Sequence, residues 1–248
     1  HYQVKDLLYR VYAFPTRYIA DCFMGCSKVA LVDRFGGKRI GENAFILNNA
    51  IDAQKFSYNK VVREQVRKEY GFSEDVLVLG TVGRLTRPKN PDGILSIIME
   101  LKKRKIDFKF LWLGTGEMEE SIKKKISKLK LEEQIIMEGT RTDVYRVLQA
   151  MDVFIFPSLW EGLGISCIEA QAAGLLTLCS DTIPVEAKVS NACKFLPLDN
   201  MKLWGDEIIR NMDYQRIDCY EDVRDAGYDI KEVVKWLEGF YCSRRYIC

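Results

Sequence analysis

Two carboxylates eight residues apart, Glu161 and Glu169, stand in the segment Pro157-Ser158-Leu159-Trp160-Glu161-Gly162-Leu163-Gly164-Ile165-Ser166-Cys167-Ile168-Glu169-Ala170. Pro157 ends a short apolar run, Gly162 and Gly164 permit a tight turn with little side-chain bulk, and a helix is expected from Ile165. Such a turn presents bare amides, and the amides of a helix N-terminus, reinforced by the helix dipole, suit a diphosphate. At about 3.6 residues per turn Glu169 lies roughly one turn into that helix, so both carboxylates can face one cleft. Ile168, Ala170, Ala172 and Ala173 bracket Glu169, where an unpaired charge is costly, and a ribose diol can donate two hydrogen bonds to one carboxylate. The same residues also fit an ordinary helix with Glu161 as its cap and Glu169 on a half-solvated face, and the spacing alone leaves both readings open.

A second constellation is Gly83-Arg84-Leu85-Thr86-Arg87-Pro88-Lys89, which follows the apolar run Val76–Val82. The glycine lets the backbone turn, and Arg84 and Lys89 place two cations beyond a strand end, an arrangement suited to a leaving diphosphate whose charge grows as a glycosidic bond breaks. A solvated basic turn is the alternative for this motif taken alone. Lys102-Lys103-Arg104-Lys105 and Lys123-Lys124-Lys125 lie on expected helix surfaces and are read as solvated faces. Leu111-Trp112-Leu113-Gly114-Thr115-Gly116 invites a dinucleotide reading, but Glu119 stands where the third glycine belongs and would oppose a pyrophosphate. That loop is therefore read as a tight strand-to-helix turn lining the cleft.

Short apolar runs alternating with amphipathic charged stretches predict the elements that hold these loops. Strands are expected over Val76–Val82, Phe108–Leu113, Gln134–Glu138, Val153–Phe156, Leu176–Ser180 and Lys194–Leu196. Helices are expected over Asp92–Lys105, Glu117–Leu129, Asp143–Met151 and Ile165–Ala173. This is an α/β, doubly wound parallel pattern, and ligands of such sheets bind at the carboxyl ends of the strands. The first sixty or so residues follow another plan: helix Val4–Tyr18, strand Asp21–Cys26, helix Lys28–Phe35 and strand Ala44–Asn48, with Asn48-Asn49-Ala50-Ile51-Asp52 as a junction. The expected division is residues 1–57 as the tail of one α/β domain and residues 58–248 as a second, ending in an amphipathic helix over Asp229–Tyr241.

Composition narrows the classes. With 248 residues, 48% hydrophobic and 29% charged, the chain can bury a sizeable core. A formal charge of +2 gives no global attraction to nucleic acid or to an anionic membrane. Eight cysteines are dispersed through apolar stretches and read as reduced thiols, and the one histidine is His1, so neither a Cys-x-x-Cys pair nor a Cys/His zinc site has its ligands. No metal is expected. No apolar run reaches the roughly 18 residues that span a bilayer, and His1-Tyr2-Gln3-Val4-Lys5-Asp6 lacks a signal-peptide core and an initiator Met, so a soluble piece of a longer protein is expected.

The chain resembles the retaining glycosyltransferases of family 4, which have the two-domain GT-B fold. The likeness runs through Cys26-Ser27, Asn48-Asn49-Ala50-Ile51-Asp52, Val82-Gly83-Arg84-Leu85 and Lys89-Asn90 to 152–174. It is nearest to enzymes of bacterial capsular and exopolysaccharide assembly, through Gly139-Thr140-Arg141-Thr142-Asp143-Val144, Glu169-Ala170-Gln171-Ala172-Ala173-Gly174 and Ser180-Asp181-Thr182-Ile183-Pro184. Glu161 and Glu169 fall on the ends of the family's Glu-x7-Glu pattern. The resemblance implies that Glu169 holds the ribose and Glu161 the donor-sugar hydroxyls. It also implies that Gly83, Arg84 and Lys89 meet the diphosphate, that the amides of Gly162, Leu163 and Gly164 approach diphosphate or sugar, and that Thr140-Arg141 contacts the base.

Leu176 stands where the family usually has proline, which affects a turn, and most of the acceptor-side domain is absent, which puts catalysis by this chain alone in doubt. The implied reaction is transfer, with retention, from a nucleotide sugar, a UDP- or GDP-sugar, to a saccharide or lipid-linked saccharide acceptor without a metal or other cofactor. The location implied is cytoplasmic, at the inner face of the plasma membrane with peripheral association, and the partner implied is the missing N-terminal domain. A GT-B epimerase, a sugar phosphorylase and a non-catalytic nucleotide-binding module are the rival readings.

Overall fold

The computed structural model describes residues 18–35 and 43–244. The helix expected over Val4–Tyr18 lies outside the described residues except at its end. The chain divides into two compact units, one formed by residues up to Ile51 together with those from Gly227 onward, the other by Asp52–Ala226.

The larger unit contains a parallel sheet of β3 (Leu77–Val82), β4 (Phe108–Leu113), β5 (Ile135–Gly139), β6 (Val153–Phe156), β7 (Leu176–Ser180) and β8 (Cys193–Leu196) in the order β5-β4-β3-β6-β7-β8. The chain builds outward from β3 in one direction, returns to β6 on the other side of β3, and builds outward again. The order therefore reverses between β3 and β6, which is the topological switch point where ligands of such sheets bind.

Alternation along each strand fills two cores. Leu77, Leu79, Phe110, Trp112, Val153, Ile155 and Leu178 face one side, where α4 (Pro91–Lys103), α5 (Glu119–Lys128) and α8 (Met201–Arg210) cover them. Val78, Leu111, Leu113, Phe154, Phe156 and Cys179 face the other, under α3 (Lys60–Glu69), α6 (Val144–Ala150) and α7 (Ile165–Ala172). Because both faces are covered, the strands read as continuous apolar runs rather than as alternation. Each such buried side chain contributes about 1.5–3 kcal/mol relative to exposure.

Three helices went unpredicted: α3, α8 and α9 (Tyr220–Asp225), with the single turn α2 (Ala53–Phe56). α3 is dominated by charge and shows only a thin apolar stripe, yet Asn59 caps it by accepting from the Val62 amide at 3.1 Å.

The smaller unit pairs β1 (Phe23–Gly25) with β2 (Ala44–Ile46) in parallel, with α1 (Lys28–Phe35) between them in sequence. The C-terminal helix α10 (Ile230–Arg244) belongs to this unit and not to the sheet domain, where the division at residue 58 would put it. Phe45 of β2 packs against Trp236 and Phe240 of α10 at ring-centroid distances of 5.7 and 5.1 Å, and Ile51 pairs with Asp229. The amphipathic pattern identified the helix but carried no information about which core its aromatic face meets.

Candidate functional site

The two constellations singled out by residue type leave the carboxyl ends of β3 and β6, the two strands that flank the switch point. The loops are tied to each other directly. The Leu159 amide donates to the Pro88 carbonyl at 2.7 Å, and Asn90, held at φ 52°, donates from Nδ2 to the Pro157 carbonyl at 3.0 Å while its Oδ1 caps the Gly93 amide. Ser158 is buried, and its carbonyl accepts from the Ser180 and Thr182 hydroxyls at the end of β7.

Lys89 and Glu161 meet across this junction, Nζ to Oε1 at 2.6 Å, with side chains 24% and 12% exposed. The Lys89 ammonium also lies 4.6 Å from the centre of the Phe156 ring. An ammonium has three protons, so the pairing leaves donors for another anion. Arg84 is exposed and enters no ion pair among the described residues. Gly83, Arg84, Lys89, Phe156 and Ser158 line one small cavity.

α7 begins at Gly164, whose φ of 89° suits glycine and where a Cβ would come within 2.9 Å of the Phe156 ring. No side chain among the described residues caps this helix, which follows the exposed Gly162 and the half-buried Leu163, and the Cys167 amide turns back to the Gly164 carbonyl at 2.9 Å. Glu169 lies on the same helix, half-buried, and desolvation pushes its carboxyl up to about 7. Trp160, 56% exposed, stands next to Glu161.

The Gly-x-Gly loop proves to be structural support. A Cβ on Gly114, at φ 131°, would lie 2.0 Å from the Gly83 carbonyl oxygen, and one on Gly116 would lie 2.4 Å from that of Leu85. The two glycines let the loop after β4 press against the Arg84 loop, and Leu85 exchanges backbone hydrogen bonds with Thr115 and Met118 at 3.0 Å each. The next loop out is joined in turn, with the Thr115 and Thr140 hydroxyls 3.3 Å apart.

Thr140 is exposed. Arg141 is engaged otherwise: its guanidinium holds Asp143 through Nε and Nη2 and Glu138 through Nη1, each at 2.8 Å. Hydrogen bonding to Asp143 pushes the Arg141 pKa upward and holds the Asp143 carboxyl below its usual range. Asn90, Ser180 and Thr182 fall within segments that carry the family likeness, but sequence reasoning gave them no role; the structure shows them positioning the loops through the Pro157 and Ser158 carbonyls.

Fold and site together define a doubly wound α/β protein of GT-B type with a small crevice lined by Arg84 and Lys89 at its switch point. The chain belongs to the glycosyl transferases group 1 family, whose model matches residues 62–195. It is 28% identical over 205 residues to EpsF of Bacillus subtilis, named as a glycosyltransferase, a match covering 81% of this chain and 53% of that protein. It is 30% identical over 139 residues to the Escherichia coli UDP-Gal:alpha-D-GlcNAc-diphosphoundecaprenol alpha-1,3-galactosyltransferase, covering 55% of this chain and 36% of that enzyme. The matches thus span about half or less of these relatives.

Among solved structures, Anabaena HepE in complex with UDP and glucose is similar in fold, with a TM-score of 0.77 at 14% identity over 96% of this chain and 67% of that one. Sucrose-phosphate synthase from Thermosynechococcus elongatus gives 0.78 at 16% identity, over 96% of this chain and 62% of that one. No helix among the described residues is long and apolar enough to cross a membrane.

Proposed function

We propose that the crevice between the β3 and β6 loops binds the diphosphate and sugar of a nucleotide-sugar donor, and that this chain is the donor-binding part of a retaining glycosyltransferase. The observation that carries the reading is that Arg84 and Lys89 line one cavity, with Lys89 tied to Glu161 of the loop leading to an uncapped helix start, at the switch point of a parallel sheet. Arg84 and the free protons of Lys89 neutralise the diphosphate, and the amides of Gly162, Leu163, Gly164 and the first turn of α7 donate to its oxygens. No divalent ion is required in this scheme, because fixed cations and amides stabilise the leaving diphosphate as the glycosidic bond breaks.

Glu161 accepts from hydroxyls of the donor sugar, and its pairing with Lys89 holds both groups in one orientation before the ligand arrives. Glu169 accepts from the ribose diol. Thr140 and its loop backbone lie toward the base, with Arg141 acting as the staple that shapes the loop. The acceptor is a saccharide or lipid-linked saccharide, a reading supported by relatives named for diphosphoundecaprenol-linked acceptors. Transfer belongs to a two-domain protein of the relatives' length, working at the cytoplasmic face of the membrane.

A thermal-shift screen of this chain with UDP-, GDP- and ADP-sugars tests donor binding. One nucleotide series is expected to raise the melting temperature by roughly 5 °C at a hundred-fold excess over its dissociation constant. The absence of a shift with all three at millimolar concentration would overturn the proposal.

A further inference from the structure

Cys167, Cys179 and Cys193 are 12 and 14 residues apart in sequence, a spacing that matches no short metal-binding motif and that supports the expectation of no metal. Folding brings them together. Cys167 lies in the first turn of α7, Cys179 next to the end of β7, and Cys193 at the start of the adjacent β8. Their three sulfurs all lie within 4.8 Å of one another, with Cys167 to Cys179 at 3.0 Å and Cys179 to Cys193 at 3.9 Å, and all three residues are fully buried.

Three thiolates bound to one zinc at about 2.3 Å stand roughly 4 Å apart, so the cluster needs only a small opening of the Cys167–Cys179 contact to accept an ion. Oxygen is at hand as well: the Ala187 carbonyl lies 3.7 Å from Cys167 Sγ. The Gln171 side-chain amide donates to that sulfur at 3.3 Å and to the Ala187 carbonyl at 2.7 Å, which fixes the orientation of both. Small apolar filling is the ordinary use of a buried cysteine, but three sulfurs from three separate elements, with a carbonyl beside them, form a coordination set.

We propose that Cys167, Cys179 and Cys193, with the Ala187 carbonyl, form a structural site for a thiophilic d10 cation such as Zn2+. On loading, the three thiols release their protons to solvent and three metal–sulfur bonds form, with no change of oxidation state. The site is enclosed, so the ion enters as the chain folds. Its effect is to fasten α7, which carries Glu169 and the amides beyond Gly164, to β7 and β8. The cation stiffens one wall of the crevice without touching its ligand.

The test refolds the full chain, in a Cys22→Ser/Cys26→Ser/Cys242→Ser/Cys248→Ser background that removes competing thiols, with and without Zn2+ and then passes it over a mild chelator. One zinc per chain is expected to survive, with the melting temperature raised by roughly 5 °C or more. Cys179→Ala and Cys193→Ala should each abolish both effects. Refolding with Cd2+ requires no substitution in the cluster: the ultraviolet thiolate-to-cadmium band should report three thiolates per bound ion even if the alanine variants fail to fold. No retained zinc and no cadmium band in the folded chain would overturn the proposal, as would retention unaffected by both substitutions.

Discussion

The two ends of the sheet use charged side chains in opposite ways. At the amino end, Arg63, Arg67 and Arg216 converge on the last carbonyls of α6 and on Asp152. Arg63 reaches the Met151 carbonyl at 2.8 Å and Asp152 at 2.6 Å, and Arg67 reaches the carbonyls of Ala150, Ser73 and Val76 at 3.0, 2.7 and 2.7 Å. Arg216 donates to the carbonyls of Leu148, Gln149 and Met151, and Asp152 also accepts from the Val78 amide. Cations at a helix C-terminus satisfy carbonyls that the helix leaves unpaired. At the carboxyl end, by contrast, Arg84 stands exposed, the first turn of α7 has no capping side chain, and Glu169 carries a desolvated carboxyl with no cation offsetting it. At the amino end the arginines are consumed by the protein's own backbone and Asp152; at the carboxyl end Lys89 and Arg141 pair with carboxylates, while Arg84 is left exposed without an ion pair among the described residues. That contrast separates arginines that hold the fold from an arginine and a helix start that the protein's own groups leave unpaired, which is what the proposed donor site requires.

The largest expected effect tests the saturated end. Arg67→Ala removes a buried guanidinium and exposes the carbonyls and Asp152 to loss of their partner, so a destabilisation of about 3–5 kcal/mol is expected in urea unfolding. A loss below about 1 kcal/mol would place Arg67 with the surface ion pairs and remove the difference between the two ends of the sheet. Arg84→Ala should do the reverse: stability stays within about 0.5 kcal/mol, while calorimetry shows nucleoside-diphosphate affinity falling by roughly ten-fold or more.

The smallest effect is a pH dependence. Glu169 accepts hydroxyl donors best when ionised, and burial lifts its pKa to about 7. Nucleotide affinity should therefore rise as pH increases from about 6 to 8, by up to about ten-fold beyond any change seen in Glu169→Gln, which serves as the reference because the nucleotide's phosphates also titrate. For stability the sign is opposite. A carboxyl whose folded pKa is raised loses stability as pH climbs from its unfolded value of 4.5 toward 7, so the glutamine variant should gain on the parent chain across that window. A parallel pH response in both would remove Glu169 from the ribose.

Much of the sheet domain is legible from local pattern. Phe108–Leu113, Val153–Phe156 and Leu176–Ser180 can be bounded to the residue because buried parallel strands are largely apolar runs, interrupted here only by Lys109 and Thr177, ended by glycine, proline or a polar residue. α3 escaped because its stripe is thin and its stability comes from packing against elements distant in sequence, whereas α8 carries a clear stripe of Met201, Trp204 and Ile208 that sequence reasoning passed over. Glu161, Glu169, Arg84 and Lys89 were legible as chemistry because glycine-flanked charges beyond a strand are unusual, whereas the roles of Asn90 and Thr182 depend on backbone groups of a loop distant in sequence and could not be read from their own segments.

Sequence alone therefore determined the alternation of strand and helix, the chain positions of the two charged loops and the glycines that free their backbones, since all of these depend on near neighbours. Tertiary structure alone decided that the loops adjoin at the switch point, that Lys89 pairs with Glu161, that Arg141 is held by Glu138 and Asp143, that three distant cysteines share a core, and that α10 leaves the sheet domain. Each of those outcomes depends on which strands pair and which faces become buried. A strand's residue types state that it will be covered on both sides, but its neighbours are chosen only when the whole sheet closes.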